Sequence, residues 1–186
     1  MKSCHSISTL FDQYLIEIMP IVEKFAIQPK YGYHGLYTHT AAVVFRGIDY
    51  VIHIEKPTTP VILACAFHDM ARTNDDYDLE HGANAIPLAN YVMDEIGGID
   101  TATRNSILYA VKNHSINTKP NDYIHACLDD ADRTRLAWEC GYFAKYFTTP
   151  RAHSVASGNA EAYLKFMQNN MSGYARTIIK QINKQY

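Results

Sequence analysis

Apolar residues recur at three- and four-residue steps along most of the chain, which is the period of an amphipathic helix. The first such run, Ile7 to Phe25, contains Pro20, which we expect to kink or split the helix. No stretch alternates at period two for long enough to predict a sheet. Further helices are predicted over residues 36–54, 60–71, 79–96, 101–114, 123–147 and, more weakly, 156–185. The pattern therefore predicts an all-α bundle of about six or seven helices.

One predicted helix differs from the others in its pattern. The stretch Pro60–Asp69, PVILACAFHD, is apolar on every helical face as far as Phe67, and such a helix is buried on all sides. Pro60 suits the first position of the helix. The stretch ends in His68 and Asp69, and an aspartate is rarely fully buried unless it is paired or bound to a metal. The sequence therefore predicts a polar site at the end of a central helix.

Length and composition narrow the class of protein. The chain has 186 residues, of which 47% are hydrophobic, so we predict a single domain over 1–186 with a substantial core. The formal net charge is −2 and Lys and Arg form no block, which argues against binding of duplex nucleic acid. The four cysteines form no CxxC pair and favour reduced thiols. Neither a signal-peptide core nor a membrane-length apolar segment is found, so a soluble cytoplasmic protein is expected.

Histidines are numerous, nine in all, and several fall where predicted helices begin or end. His39 lies early in the second helix, His81 near the start of the fourth and His114 at the end of the fifth. The segment LDDADR adds three aspartates, Asp129, Asp130 and Asp132. Helix ends can converge in a bundle, and bundle cores commonly hold metal sites of histidine and carboxylate. Two histidines and two carboxylates suit Mn, Fe, Co, Ni or Zn, and they leave open positions on the ion for a water and a phosphoryl oxygen.

The series His39, His68-Asp69 and Asp132 resembles the H…HD…D signature of the HD superfamily of metal-dependent phosphohydrolases. The resemblance continues in the blocks HGLYTHTAAVV at 34–44, AFHDMARTNDDYDLEHGANA at 66–85 and CLDDADRTRL at 127–136. It covers a core of about 34–150, flanked by an N-terminal helix over 1–30 and a helical tail over 151–186. It implies an HD-type fold in which the four residues bind one divalent ion (Mn, Ni, Co, Fe, Mg or Zn). Asp130 is the alternative to Asp132.

The resemblance also implies a reaction, in which a metal-activated water attacks a small phosphate ester, with nucleotides among the candidate substrates. His81 and His114 would offset charge on the phosphate or transfer a proton, or would bind a second metal as in dinuclear members. Arg72 would bind phosphate oxygens, whose geometry its planar guanidinium group matches. A salt bridge to a nearby aspartate accounts for an arginine at this position equally well. Asp75 would hold a metal-bound water without binding the metal itself. Phosphomonoesterase, phosphodiesterase and nucleotidase activities are not distinguished.

Two other functions are consistent with these residues. Some HD-fold proteins are non-haem di-iron oxygenases, and the six ligands they need would be His39, His68, Asp69, His81, His114 and Asp132. Two irons and an oxygen-dependent reaction would indicate this function. The other is a degenerate HD domain that binds a nucleotide or a protein partner without catalysis, which the presence of all four core ligands disfavours. The oligomeric state is not predicted.

Overall fold

The structure, a computed structural model, describes residues 6–116, 118–139, 141 and 143–170. Within these ranges it contains helices and no strand. The α-helices are α1 Ile7–Gln13, α2 Met19–Phe25, α3 Ala41–His53, α4 Thr58–Phe67, α5 His81–Ile96, α6 Thr101–Asn113, α7 Tyr123–Glu139, α8 Pro150–Ala156 and α9 Ala160–Asn169. Shorter elements are π-helical turns at Tyr14–Ile18 and Leu36–Thr40 and a 3-10 turn at Ala144–Tyr146.

The all-α prediction is confirmed, although the nine described helices exceed the predicted six or seven because both ends of the chain are divided. Pro20 lies in the first turn of α2, which joins α1 through the π-helical turn Tyr14–Ile18. Near the other end, Gly158 lies between α8 and α9. The part of the predicted tail beyond residue 170 lies outside the described residues.

Helix α4 is the centre of the bundle. Every residue from Val61 to Phe67 is buried, and α3, α6 and α7 pack around the helix, as its apolar sequence predicts. The helix begins at Thr58, two residues earlier than predicted, so Pro60 lies in the first turn, where its missing N–H breaks no helical hydrogen bond. His68 caps the C-terminal end of the helix. The dipeptide His68-Asp69 therefore lies in the interior of the molecule.

Two glycines set the spacing between helices that carry the site. Gly47 on α3 faces α4, where a Cβ atom would lie 2.7 Å from the Sγ atom of Cys65. Gly82 on α5 faces α6, where a Cβ atom would lie 2.4 Å from the carbonyl oxygen of Val111 and 3.1 Å from the ring of His114. The distances of 2.7 Å and 2.4 Å are too short for a Cβ atom unless the helices move apart, so these helices approach as closely as glycine permits.

Elsewhere the observed helices differ from the predicted ones in two ways. Helix α5 begins at His81, two residues later than predicted, and contains Pro87 in its interior. Helix α7 ends at Glu139, close to the break that Gly141 suggests, and the described residues from 143 to 147 contain a 3-10 turn, so the prediction of a helix as far as Phe147 is wrong there. Among the described residues, no helix is both long enough and apolar enough to cross a membrane.

Helices α8 and α9 are attached to α3 by a buried carboxylate. Asp49 on α3 is fully buried, and its oxygens accept hydrogen bonds from Arg151 Nε (3.2 and 3.0 Å) and from Tyr163 Oη (3.0 Å). A buried carboxylate is stabilised only by such partners. The described part of the predicted tail is therefore packed against the core.

Candidate metal centre

The four residues of the H…HD…D series come together at one point. His39 lies in the π-helical turn before α3, His68 and Asp69 follow α4, and Asp132 lies on α7. The Nε2 atom of His39 is 3.0 Å from Asp132 Oδ1 and 3.2 Å from His68 Nε2. Asp69 Oδ2 lies 3.6 Å from the same His39 atom and 3.3 Å from His68 Nε2. We call His39, His68 and Asp132 the first cluster, whose ligand atoms lie within 4.8 Å of one another.

His81 and His114 form a second cluster with Asp69, again with ligand atoms within 4.8 Å of one another. His81 Nε2 is 2.8 Å from His114 Nε2 and 3.2 Å from Asp69 Oδ1. Asp69 therefore turns one oxygen toward each cluster. The side chain of Asp69 is 3% exposed, so its charge is compensated by these neighbours and not by water.

The histidine rings are held so that Nε2 points into the site. His68 Nδ1 donates to the carbonyl of Cys65 and His114 Nδ1 donates to that of Val111, each at 2.7 Å and each three residues back along its own helix end. When such a histidine is neutral, donation of its Nδ1–H to a carbonyl leaves Nε2 unprotonated and free to bind a metal ion. The donor atoms thus have the chemistry and the orientation of a divalent metal site.

His81 has two partners on the opposite side of its ring. The Nδ1 atom contacts the carbonyl oxygen of Asp78 and also lies 2.9 Å from Arg72 Nη1. Each tautomer of the ring satisfies one of these contacts. With the proton on Nδ1, His81 donates to Asp78 and its Nε2 atom is free to bind a metal. With the proton on Nε2, toward His114, the Nδ1 atom accepts from Arg72. The ring can therefore serve a metal-free and a metal-bound site by exchanging its tautomer.

Burial and charge act on the pKa values of the cluster in opposite directions. Burial lowers the pKa of His39 to about 4 and that of His114 to about 3. Burial acts on His68 as well, but Asp69 and Asp132 outweigh it and raise its pKa to about 9. Despite burial, the charge of His68 helps to lower the pKa of both aspartates. In the metal-free site the protonated His68 ring therefore lies between two carboxylates and supplies the positive charge that a metal ion would supply.

His34 is a further donor that the sequence analysis did not identify. Its Nδ1 atom lies 3.0 Å from Asp69 Oδ2, and with His39 and Asp69 it forms a third group of clustered ligand atoms. Gln28 holds the loop of His34 against the π-helical turn, because Gln28 Nε2 donates to the His34 carbonyl and to Thr40 Oγ1, each at 3.0 Å. The sequence feature that points to His34 is its position, five residues before His39 and first in the HGLYTHT block.

Arg72 and Asp75, the other predicted site residues, are placed differently. Arg72 is buried and lines the cavity above the clusters. No salt bridge joins it to an aspartate among the described residues; instead, Nη2 donates to the carbonyl of Asp76 at 3.0 Å. Asp75 lies in an exposed part of the same loop and is not among the residues that line the cavity. The structure therefore brings Arg72 to the clusters and leaves Asp75 outside them.

The neighbouring aspartates of α7 point away from the clusters. Asp130 accepts hydrogen bonds from the backbone N–H groups of Thr148 (2.9 Å) and Thr149 (2.6 Å), ahead of α8. Asp129 lies 3.1 Å from Arg133 Nη1 and 3.4 Å from His125 Nε2. Asp132 alone of the three contributes an oxygen to the clusters described above.

A cavity of about 460 Å³ opens above the clusters. His39, Asp69 and Asp132 lie in its wall together with His34, His81 and His114. Its cations are Arg72, Arg133 and Arg135, and the guanidinium of Arg135 lies 3.5 Å from the centre of the Tyr33 ring. The remaining lining residues are Tyr77, Asp78, Leu79, Ser115 and Leu136. A small anionic molecule placed there would meet histidine and arginine side chains.

Comparisons with known proteins agree with this fold. No family model matches the sequence, and no curated protein matches it by sequence. The structure resembles that of a protein from an uncultured Thermotogales bacterium, described as a predicted HD superfamily hydrolase. The match covers 84% of this chain and 90% of the other, with 20% sequence identity and a TM-score of 0.63. The chain therefore has an all-α fold of the HD type, which confirms the fold that the motif series implies.

Proposed function

We propose that the protein is a metal-dependent phosphohydrolase that acts on a small phosphate ester, with nucleotides among its candidate substrates. The observation that carries the proposal is the cluster of buried imidazole and carboxylate donors at the base of a cavity with three arginines. The similar Thermotogales protein is described as a predicted hydrolase of the HD superfamily, which agrees with the proposal. A divalent ion bound there supplies Lewis acidity and lowers the pKa of a water.

The residues of the chain have separate parts in this proposal. His39, His68, Asp69 and Asp132 would hold one ion, and Asp69 with His81 and His114 would hold a second. The carbonyls behind His68 and His114 fix the orientation of those rings. The three arginines of the cavity would orient the phosphate and, together with the bound ion, would offset the charge that develops on its oxygens.

Elemental analysis followed by a hydrolysis assay tests the proposal. The purified protein is expected to contain one or two divalent ions per chain and to release phosphate from a panel of nucleotides and sugar phosphates. Asp69→Ala should lose both the metal and the hydrolysis, because it removes the carboxylate whose two oxygens face the first and the second cluster. Asp94→Ala, at an exposed carboxylate on α5, is the control and should keep both. An active, metal-free Asp69→Ala protein would contradict the proposal.

The six-residue arrangement also supports the second candidate function, a di-iron oxygenase. Its specific support is that His81 and His114 lie within hydrogen-bond distance of each other and next to Asp69, which would supply the ligands of a second iron. Two irons per chain together with oxygen consumption by a substrate-loaded enzyme would favour this function. Phosphate release without oxygen consumption, supported by a redox-inert ion such as Mg²⁺, would favour the hydrolase.

A further inference from the structure

A second cavity, of about 560 Å³, adjoins the cavity of the metal centre. Arg133 lines both cavities, so the two cavities share this residue. The second cavity contains no proposed metal ligand. Its other described lining residues are Thr118, Lys119, Pro120, Lys145, Tyr146 and Thr148. Three of these seven residues are cations and none is a carboxylate, so the cavity has the character of an anion site.

Arg133 is fixed at the boundary between the cavities. Its Nη1 atom lies 3.1 Å from Asp129 Oδ2, and its Nη2 atom donates to the carbonyl of His114 at 3.2 Å. Asp129 is 2% exposed, so it anchors the arginine from within the bundle. Because the Asp129 carboxylate compensates the charge of Arg133, the excess charge of the second cavity comes from its two lysines.

Lys119 and Lys145 come from separate parts of the chain, the loop after α6 and the 3-10 turn after α7. Neither forms a salt bridge with a carboxylate among the residues that the structure describes. Lys145 Nζ lies 5.1 Å from the ring centre of Tyr146 and 5.5 Å from that of Phe143, which holds the ammonium group beside the cavity. Two uncompensated cations in one concave site attract an anion.

We infer that the second cavity binds a second phosphate group of the substrate, so that the substrate is an organic bisphosphate. This inference rests on the proposed function, which places the reacting phosphate in the first cavity. The second phosphate then contacts Lys119 and Lys145, and Arg133 lies between the two phosphates. Pairs of cations that converge from different elements recognise such a group by charge and hydrogen bonding.

The test compares two ligands that differ by one phosphate. Adenosine 3′,5′-bisphosphate and adenosine 5′-monophosphate are titrated into the full-length, metal-loaded protein by calorimetry. The bisphosphate is expected to bind about tenfold more tightly, since tenfold corresponds to about 1.4 kcal/mol, near the lower value for a hydrogen bond to a charged group. The pair fructose 1,6-bisphosphate and fructose 6-phosphate should give the same preference without a base.

The double variant Lys119→Gln/Lys145→Gln should lose most of this preference and bind the monophosphates as the unaltered protein does. Lys56→Gln is the matched control, because Lys56 is an exposed lysine that precedes α4, whereas the metal centre lies at the other end of that helix. Raising the ionic strength from about 0.05 M to about 0.3 M should reduce the preference, as expected for exposed charges.

Equal binding of the paired ligands, or an undiminished preference in the double variant, would overturn the inference. Binding is measured without turnover, so the comparison stands apart from the proposed hydrolysis. A protein that prefers bisphosphates and hydrolyses none of them would contradict the proposed function alone. A protein that hydrolyses monophosphates and bisphosphates with the same KM would contradict the bisphosphate inference alone.

Discussion

At the scale of single residues, the charge state of His68 would govern metal binding at the proposed centre. With a pKa of about 9, the side chain is protonated in the metal-free protein at neutral pH and is paired with Asp69 and Asp132. A metal ion binds the unprotonated ring, so the proton must leave first. We therefore expect binding of Mn²⁺ at about pH 7.5 to release about one proton per chain from this ring.

Calorimetric titrations in two buffers with different ionisation enthalpies measure this proton release. The release should decline as the pH rises through about 9, because the metal-free ring has then lost its proton already. His39 and His114 add little, since burial keeps their pKa values at about 4 and about 3. A release that stays constant between about pH 7 and about pH 10 would show that His68 is not the source.

Arg72 and Asp75 lie close together in the chain, but only Arg72 is expected to affect activity. Arg72→Gln should lower kcat/KM by about 10- to 100-fold, because the variant loses the partner that faces His81 Nδ1 and a cation of the cavity. Asp75→Asn should stay close to the unaltered protein, since Asp75 is exposed and does not line the cavity. Steady-state kinetics and metal content of both variants provide the check. Equal losses in the two variants would contradict this assignment.

At the residue scale, the sequence points most directly to residues whose type has few other uses. An aspartate after an all-apolar helix requires a buried partner, which singles out Asp69 and through it His68. His34 has no such signature, because a histidine in a loop of glycine and tyrosine is commonplace. Its position depends on how Gln28 folds the loop back, and that contact joins residues whose pairing no periodicity reveals.

At the scale of elements, the crossing of α5 and α6 positions the second cluster. Gly82→Ala would place a Cβ atom 2.4 Å from the carbonyl oxygen of Val111 and 3.1 Å from the His114 ring. The helices must then separate, which we expect to destabilise the protein by about 1–3 kcal/mol. The same shift should weaken metal binding by the second cluster, because His114 loses its position beside His81.

Urea unfolding of the metal-free protein and metal titration of the folded protein measure the two effects of Gly82→Ala. Asn84→Ala is the matched control, since it changes an exposed position of the same helix and should alter stability by less than about 0.5 kcal/mol. A stable Gly82→Ala protein with unaltered metal content would show that α5 and α6 can separate without moving His114.

The π-helical turn Leu36–Thr40 shows what periodicity cannot supply at this scale. Its five residues fit the predicted helix start at residue 36, because α- and π-turns give nearly the same pattern over so few positions. The turn follows from local bonds: Thr38 Oγ1 donates to the carbonyls of Gly32 (2.7 Å) and Gly35 (3.2 Å). His39, one residue later, is thereby placed in the first cluster.

At the scale of the whole molecule, the buried Asp49 joins the C-terminal helices to the core. Arg151→Ala removes one of its partners and leaves the carboxylate with fewer hydrogen bonds, so stability should fall by about 1–3 kcal/mol. Lys24→Ala, which breaks an exposed ion pair with Glu95, should cost less than about 1 kcal/mol. Chemical denaturation of both variants makes the comparison, and an equal loss in the two would contradict this role of Asp49.

The overall architecture could be predicted because each apolar stripe needs a partner and only α4 is apolar all round. That reasoning does not determine which helix ends meet; the structure shows that the ends of α4 and α6 bring the rings of His68 and His114 to within 5.2 Å of each other, centre to centre. The cavities could not be predicted, because loops that carry no apolar period form part of their walls. The segments before α3 and α5 line the first cavity, and the loops after α6 and α7 line the second. Arg133 at the boundary of both cavities is a product of that loop packing.

The two oxygens of Asp69 have a thermodynamic consequence for ion loading. One oxygen faces each cluster, so an ion in either cluster changes the charge and the orientation that the other ion meets. Such linkage is reciprocal: the factor by which the first ion alters the affinity for the second equals the factor in the opposite order. His114→Gln, a change in the second cluster, should therefore alter the affinity of the first cluster for its ion once both are filled.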